Sequence, residues 1–441
     1  MKFSSFRSWA KSWLSQRFAP PSTVEERNIR LLYWDIAWQG IVAAGTITFL
    51  PVYLARLNAS SMMIGWLTAA PALVNIIVSL PASAWLERQH NHVWLTTYFR
   101  IFIRVTYLIL AFLPFFLNDQ VLPLVIVILW GLQAIPTAFA VPAWTSVMGA
   151  IVPPHRRPAV NGGRWALLSV VTGVSVALFG KFLGAEWPPF PLNYQIVFFI
   201  SAITVLWGLV YFNRIIMPVD YAPRTPTHRP FREQFADIIA PIVHNQSFVR
   251  YLLSTFLIRM GIGMPVALYS IFWVRNLQAS DTIIGLRTTV SQVALVAGYY
   301  LLGRFATRRG HRPILLTSGI GLGIYPIFTA LSPDQYWLLP AGIIVGWFSA
   351  GINISFFEGL LETTPPERVP SFAAVNAIFA NLATFIGPLL GSIVMEWLGI
   401  QVAFWIAGGL HFIGVLLCWR LGVGCAKGLN GRPCFGGETI G

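Results

Sequence analysis

The chain has 441 residues, of which 56% are hydrophobic and only 10% charged, with a mean hydropathy of +0.66. That is too little polar surface to cover a water-soluble globule of this size, so the chain belongs in a bilayer. Its formal charge of +14 does not indicate nucleic acid, because Lys and Arg fall in short clusters between apolar runs, where they set topology.

Backbone groups cannot face hydrocarbon unpaired, which leaves helices or a closed barrel, and apolar runs of about twenty residues select helices. Segment 1–28 is basic and weakly amphipathic, with Trp9, Trp13, Leu14 and Phe18 among Lys2, Arg7, Lys11 and Arg17. It reads as a stretch lying on the inner leaflet, not as a cleavable signal. Twelve spans follow, at 29–55, 61–86, 92–117, 120–150, 162–184, 191–213, 248–274, 282–303, 313–331, 336–361, 370–395 and 400–421. The expected fold class is therefore all-α integral membrane. Arg88, Arg156, Arg157, Arg214, Arg308, Arg309, Arg312 and Arg368 lie in loops after even-numbered spans, whereas Arg56 and Arg275 are the main cations of the opposite set. The positive-inside rule then places both termini in the cytoplasm, with the plasma (inner) membrane as the expected location.

The chain repeats itself. Residues 57–65 read Leu-Asn-Ala-Ser-Ser-Met-Met-Ile-Gly and residues 277–285 read Leu-Gln-Ala-Ser-Asp-Thr-Ile-Ile-Gly, an offset of 220 (277 − 57). The same offset carries Arg88 onto Arg308. After span four, Pro153-Pro154-His155-Arg156-Arg157-Pro158 matches Pro365-Pro366-Glu367-Arg368-Val369-Pro370 after span ten. Repeats at half the chain length mean two copies of one six-helix unit, 29–213 and 248–422, joined by a proline-rich linker at 214–247 and followed by a tail at 423–441.

Six plus six helices, a linking strap and a charged turn after spans two and eight resemble the major facilitator superfamily of secondary transporters. The resemblance implies two pseudo-symmetric six-helix bundles that rock about a central site. That family's loop between helices two and three runs roughly Gly-x-x-x-Asp-Arg-x-Gly-Arg-Arg. Here the pattern is divided: Glu87 and Arg88 supply the acid and first cation in one copy, and Arg308, Gly310 and Arg312 supply the rest in the other. The resemblance gives these five residues a gating role; topology alone is the alternative. Gly310 also suits a tight reversal at a helix end. Span five lacks the proline of the family's drug antiporters, and Gly387-Pro388 lies in span eleven instead.

Ionisable groups inside spans are costly and therefore mark candidate sites. Asp35 lies about 9 Å into span one and Arg259 about 14 Å beyond Arg250 in span seven. The offset pairs Asp35 with Thr255 and Gln39 with Arg259, so both spans carry a polar stripe at equivalent positions and these four residues are expected to line a central cavity. Pairing of Asp35 with Arg30 is the alternative. Glu358 in span ten is a further candidate, as partner of Arg259 or as a protonatable group. Gln133 and Trp144 share one face of span four and could contact a solute.

The function expected is secondary transport of a small molecule by alternating access, with protonation of Asp35 or Glu358 as a coupling step. Arg259 favours an anionic solute. No nucleotide-binding, zinc-protease or serine-hydrolase motif occurs, and Cys418, Cys425 and Cys434 have no metal-ligand spacing, so no enzyme activity, cofactor or metal is expected. The partners expected are solute, protons and membrane lipid, acting on a monomer. A non-transporting sensor and an amphiphile or lipid transporter are the alternatives.

Overall fold

The computed structural model describes residues 23–86, 89, 91–217, 244–365 and 368–424. The N-terminal segment, most of the linker, the tail, and both Glu87 and Arg88 lie outside the described residues. Twelve long helices run through the rest: α1 (Val24–Arg56), α2 (Ser61–Leu86), α3 (His92–Phe112), α4 (Leu122–Ile151), α5 (Arg157–Leu183), α6 (Leu192–Phe212), α7 (Gln246–Asn276), α8 (Asp281–Arg309), α9 (Arg312–Ala330), α10 (Leu338–Thr363), α11 (Val369–Leu398) and α12 (Ile400–Arg420). The order and number match the expected spans.

Several boundaries differ for local reasons. Helix α1 begins before residue 29 because Thr23 Oγ1 accepts the Glu26 amide at 3.2 Å, and Glu25 and Glu26 favour the positive end of the helix. At the other extreme, α8 runs on to Arg309 and stops at Gly310, whose φ of 78° needs no side chain. Within α4, Pro136 lacks an N–H for the ladder and the helix is interrupted at Gln133. A short π segment interrupts α1 at Ala43–Ile47, and another ends α7 at Phe272–Asn276.

The packing repeats as the sequence does. In the N-terminal half α1 packs on α5 and α6, α3 on α4 and α6, and α2 on α4; the equivalent pairs α7 with α11 and α12, α9 with α10 and α12, and α8 with α10 build the other half. Two main seams join the halves, α5 against α8 and α2 against α11, and the distal part of α7 packs on α1 and α2 between them. A pseudo-two-fold axis exchanges these seams. Eleven of the helices are apolar enough by composition to cross a bilayer. The other, α8, carries Arg287, Arg304, Arg308 and Arg309, and it packs on protein through α5 and α10.

Candidate functional site

The repeated stretch forms the turns at the face opposite the chain ends, here called the distal face. Asn58 (φ 56°) and Gln278 (φ 48°), equivalent under the offset (58 + 220 = 278), both adopt the left-handed conformation. Each turn then grips the other. Arg56 Nη2 donates to Ala279 O at 3.0 Å, and Arg275 Nη2 donates to Ala59 O at 2.6 Å; Ala59 and Ala279 are themselves equivalent (59 + 220 = 279). Arg56 also donates to Asp281 Oδ1, from Nε at 3.1 Å and Nη2 at 2.8 Å, and the Tyr194 hydroxyl donates to the same oxygen at 2.6 Å. Asp281 is buried.

The seams continue inward from this latch. Thr282 and Thr289 of α8 donate to the carbonyls of Gly180 and Gly173 on α5, at 3.2 and 2.8 Å. A Cβ on Gly180 would lie 2.8 Å from Asp281 O and 3.0 Å from Gly285 Cα, so the two helices approach closely only because both residues are glycine. In the other seam Ser61 Oγ donates to Glu396 Oε1 at 2.6 Å, Ser392 Oγ donates to Ser61 O at 2.9 Å, and Trp66 meets Phe385. Every one of these contacts lies in the distal half of its helices. Among the described residues, the space between the halves is thus bridged by these contacts at the distal face and is without them toward the face carrying the chain ends.

Asp35 does not line that space. Both its oxygens accept from Arg100 Nη1, at 2.9 and 3.0 Å, and the residue is 2% exposed, packed toward α3 and Gly208 of α6. The repeat defined a polar stripe on α1, but α1 has more than one protein-facing side, and Asp35 turns to α3 and α6. Its partner is Arg100, not Arg30. Thr255 is likewise buried, with its hydroxyl satisfied by Tyr251 O at 2.8 Å. Gln39 is half-buried, and Gln133 Oε1 is buried at the break in α4 without a hydrogen-bond partner among the described residues. Trp144 carries the guanidinium of Arg164 over its ring at 4.4 Å.

In the C-terminal half Arg259 is half-buried, its guanidinium 4.4 Å from the Phe356 ring centroid. Tyr251, two turns away on the same face, donates to Phe356 O at 2.7 Å. Among the described residues no carboxylate lies within ion-pair distance of Arg259. Glu358 is exposed near the open end of α10 and does not pair with it. Of the loop residues, Gly310 caps α8, Arg308 is exposed, and Arg312 donates to Trp419 O of α12 at 3.2 Å.

The sequence reading passed over three groups. Arg100 and Arg104 stand one turn apart in α3; Arg104 is 3% exposed and donates to Val205 O and Arg100 O. Arg164 in α5 is 4% exposed. A count of cations within spans would have found all three. The Arg56, Asp281 and Tyr194 cluster needed the proximity of the two copies. Arg287 donates to the Tyr325 hydroxyl and stacks on Trp273 at 4.7 Å. Because arginine stays protonated, this arrangement can recognise acceptor-only groups such as carboxylates and phosphates. The described residues contain no group of three His, Cys, Asp or Glu side chains able to hold a metal.

A family model described as Major Facilitator Superfamily matches residues 39–252 and 251–424. Among curated relatives, the multi-drug resistance efflux pump PmrA homolog of Lactococcus lactis is 28% identical over 116 residues, 26% of this chain and 28% of the relative. The efflux pump PmrA of Streptococcus pneumoniae is 25% identical over 166 residues, 37% of this chain and 41% of the relative. The matches thus span less than half of those two proteins. Multidrug resistance protein 2 of Bacillus subtilis is 22% identical over 420 residues, 92% of this chain and 98% of the relative. Among solved structures, a POT family transporter in complex with a thioalcohol conjugated peptide superposes with a TM-score of 0.71 at 13% identity, covering 90% of this chain and 96% of that one. A D-xylose-proton symporter gives 0.67 at 14%, covering 90% and 97%. At such identities the superpositions speak for the fold, and the family match covers both halves. The chain belongs to the Major Facilitator Superfamily, in the form of two six-helix bundles latched at one face.

Proposed function

We propose that this protein moves a small organic solute bearing an acidic group across the membrane by alternating access, with the distal latch as one gate. The observation that carries this reading is the combination of distal contacts between the halves among the described residues with Arg259, a half-buried cation that has no carboxylate partner among them. A permanent charge held over an aromatic ring at membrane depth favours an anionic ligand. The positive-inside pattern makes the open face cytoplasmic. Export is the direction favoured by relatives named as efflux pumps.

Proton coupling moves away from the residues expected to supply it. Asp35 is held by Arg100 and Glu358 is exposed, so neither is a buried carboxylate awaiting a proton. Asp281 is the better candidate: protonating it would remove the charge that Arg56 grips and loosen the distal gate. The test is flux of labelled organic acids into proteoliposomes under an imposed pH gradient. Arg259→Ala is expected to raise the half-saturating concentration at least tenfold while the protein remains folded. Unchanged flux in that variant would remove Arg259 from the site, and an absence of gradient-driven flux across the panel would count against transport of this solute class.

A further inference from the structure

Arg164 lies seven residues past Arg157, about 10 Å along α5 from its open-face end. It is 4% exposed, and among the described residues its buried Nε has no hydrogen-bond partner; its Nη1 reaches Asn161 Oδ1 only at 3.4 Å. The indole Nε1 of Trp144, on whose ring it stacks, is also buried without a partner. Both orphans are donors.

Among the described residues, the carboxylate that acts on Arg164 is already engaged. Asp35 interacts electrostatically with Arg164, but both its oxygens accept from Arg100, whose own charge repels Arg164. Arg104 adds a further buried cation and donates only to backbone carbonyls, leaving its Nη2 without a partner. Asp35 therefore stands against three guanidinium groups inside one membrane bundle. Excess buried charge of this kind is expensive unless an anion joins it.

A guanidinium held flat on an indole, with an N–H from each lacking an acceptor, calls for an acceptor-only group. We infer that Arg164 and Trp144 form an oxyanion-binding site in the N-terminal half, taking a carboxylate or phosphate group. That group belongs either to a solute in the cavity or to an anionic lipid headgroup. Assignment to a solute rests on the transport reading above; the site itself does not.

Purified full-length protein in neutral detergent would be titrated with inorganic phosphate or benzoate at constant ionic strength, reading the melting temperature. In parallel it would be placed in nanodiscs with and without phosphatidylglycerol. A saturable rise with phosphate or benzoate identifies a soluble anion, and a rise confined to phosphatidylglycerol identifies a headgroup; either supports the site if Arg164→Gln abolishes it. Trp144→Phe keeps the ring but removes the donor and should weaken binding about tenfold, as expected for one hydrogen bond to a charged group. That variant decides the matter alone should Arg164→Gln fail to fold. The inference is overturned if no probe stabilises the wild type, or if stabilisation persists unchanged in the variants. Gradient-driven flux without any Arg164-dependent anion effect would sink this site and leave the transport reading standing. Arg164-dependent phosphate binding without flux would do the reverse.

Discussion

Neutralising Asp281 should open the distal gate. Its Oδ1 accepts three hydrogen bonds, two from Arg56 and one from Tyr194, and its side chain is 7% exposed against 26% for Arg56. Breaking a buried ion pair from one side costs about 3–5 kcal/mol. Here Arg56 retains its bond to Ala279 O and some contact with water, so the expected loss from the closed state is about 2–3 kcal/mol, a roughly 30- to 150-fold shift toward the distal-open state. The assay uses Thr289→Cys, a seam position bonded to Gly173 O, in a background lacking Cys418, Cys425 and Cys434. A membrane-impermeant maleimide added at the distal side should label this thiol much faster in Asp281→Asn than in the parent. Arg56→Gln should act in the same direction. Labelling rates unchanged in both variants would refute the latch.

The Asp35 to Arg100 pair should behave as a structural element: Asp35→Asn is expected to cost about 3–5 kcal/mol and lower the thermal midpoint, leaving the pH dependence of flux in place. Gly180→Val would drive a side chain against Asp281 O and Gly285, so it should hold the distal seam apart, raise distal labelling of Thr289→Cys and abolish flux. At Gln278, a β-branched residue suits φ 48° poorly; Gln278→Val should destabilise by about 1–2 kcal/mol in a thermal melt, and Gln278→Gly should not.

The helices were legible because apolar runs and cation clusters are local signals, and α8 was read as the apolar span 282–303 although Arg287 lies within it. The site was less legible. Asp35 and Arg259 were visible as buried charges, yet the direction each faces depends on neighbours far along the chain: Arg100 lies 65 residues from Asp35, and Phe356 comes from α10. A stripe on a helix fixes which residues share a face, not which neighbour that face meets. The repeated stretch showed that two turns would be alike. That they would clasp each other followed only once the pseudo-two-fold axis brought Arg56 to Ala279 and Arg275 to Ala59.

The latch is reciprocal in its backbone bonds and unequal in its charges. Asp281 corresponds to Ser61 under the offset (61 + 220 = 281), so the first copy has a neutral group where the second has an acid. The α2 to α11 seam recovers a carboxylate from the opposite helix, since Ser61 donates to Glu396. Yet Glu396 is exposed and accepts from a hydroxyl, an interaction worth about 1 kcal/mol. Asp281 instead holds a guanidinium and a phenol in a buried setting, beside the close approach of Gly180 and Gly285. The α5 to α8 seam is therefore the stronger of the two, and its strength rests on one removable charge. A rocking motion that opens the distal face must break this seam, which makes the ionisation of Asp281 the step best placed to control it.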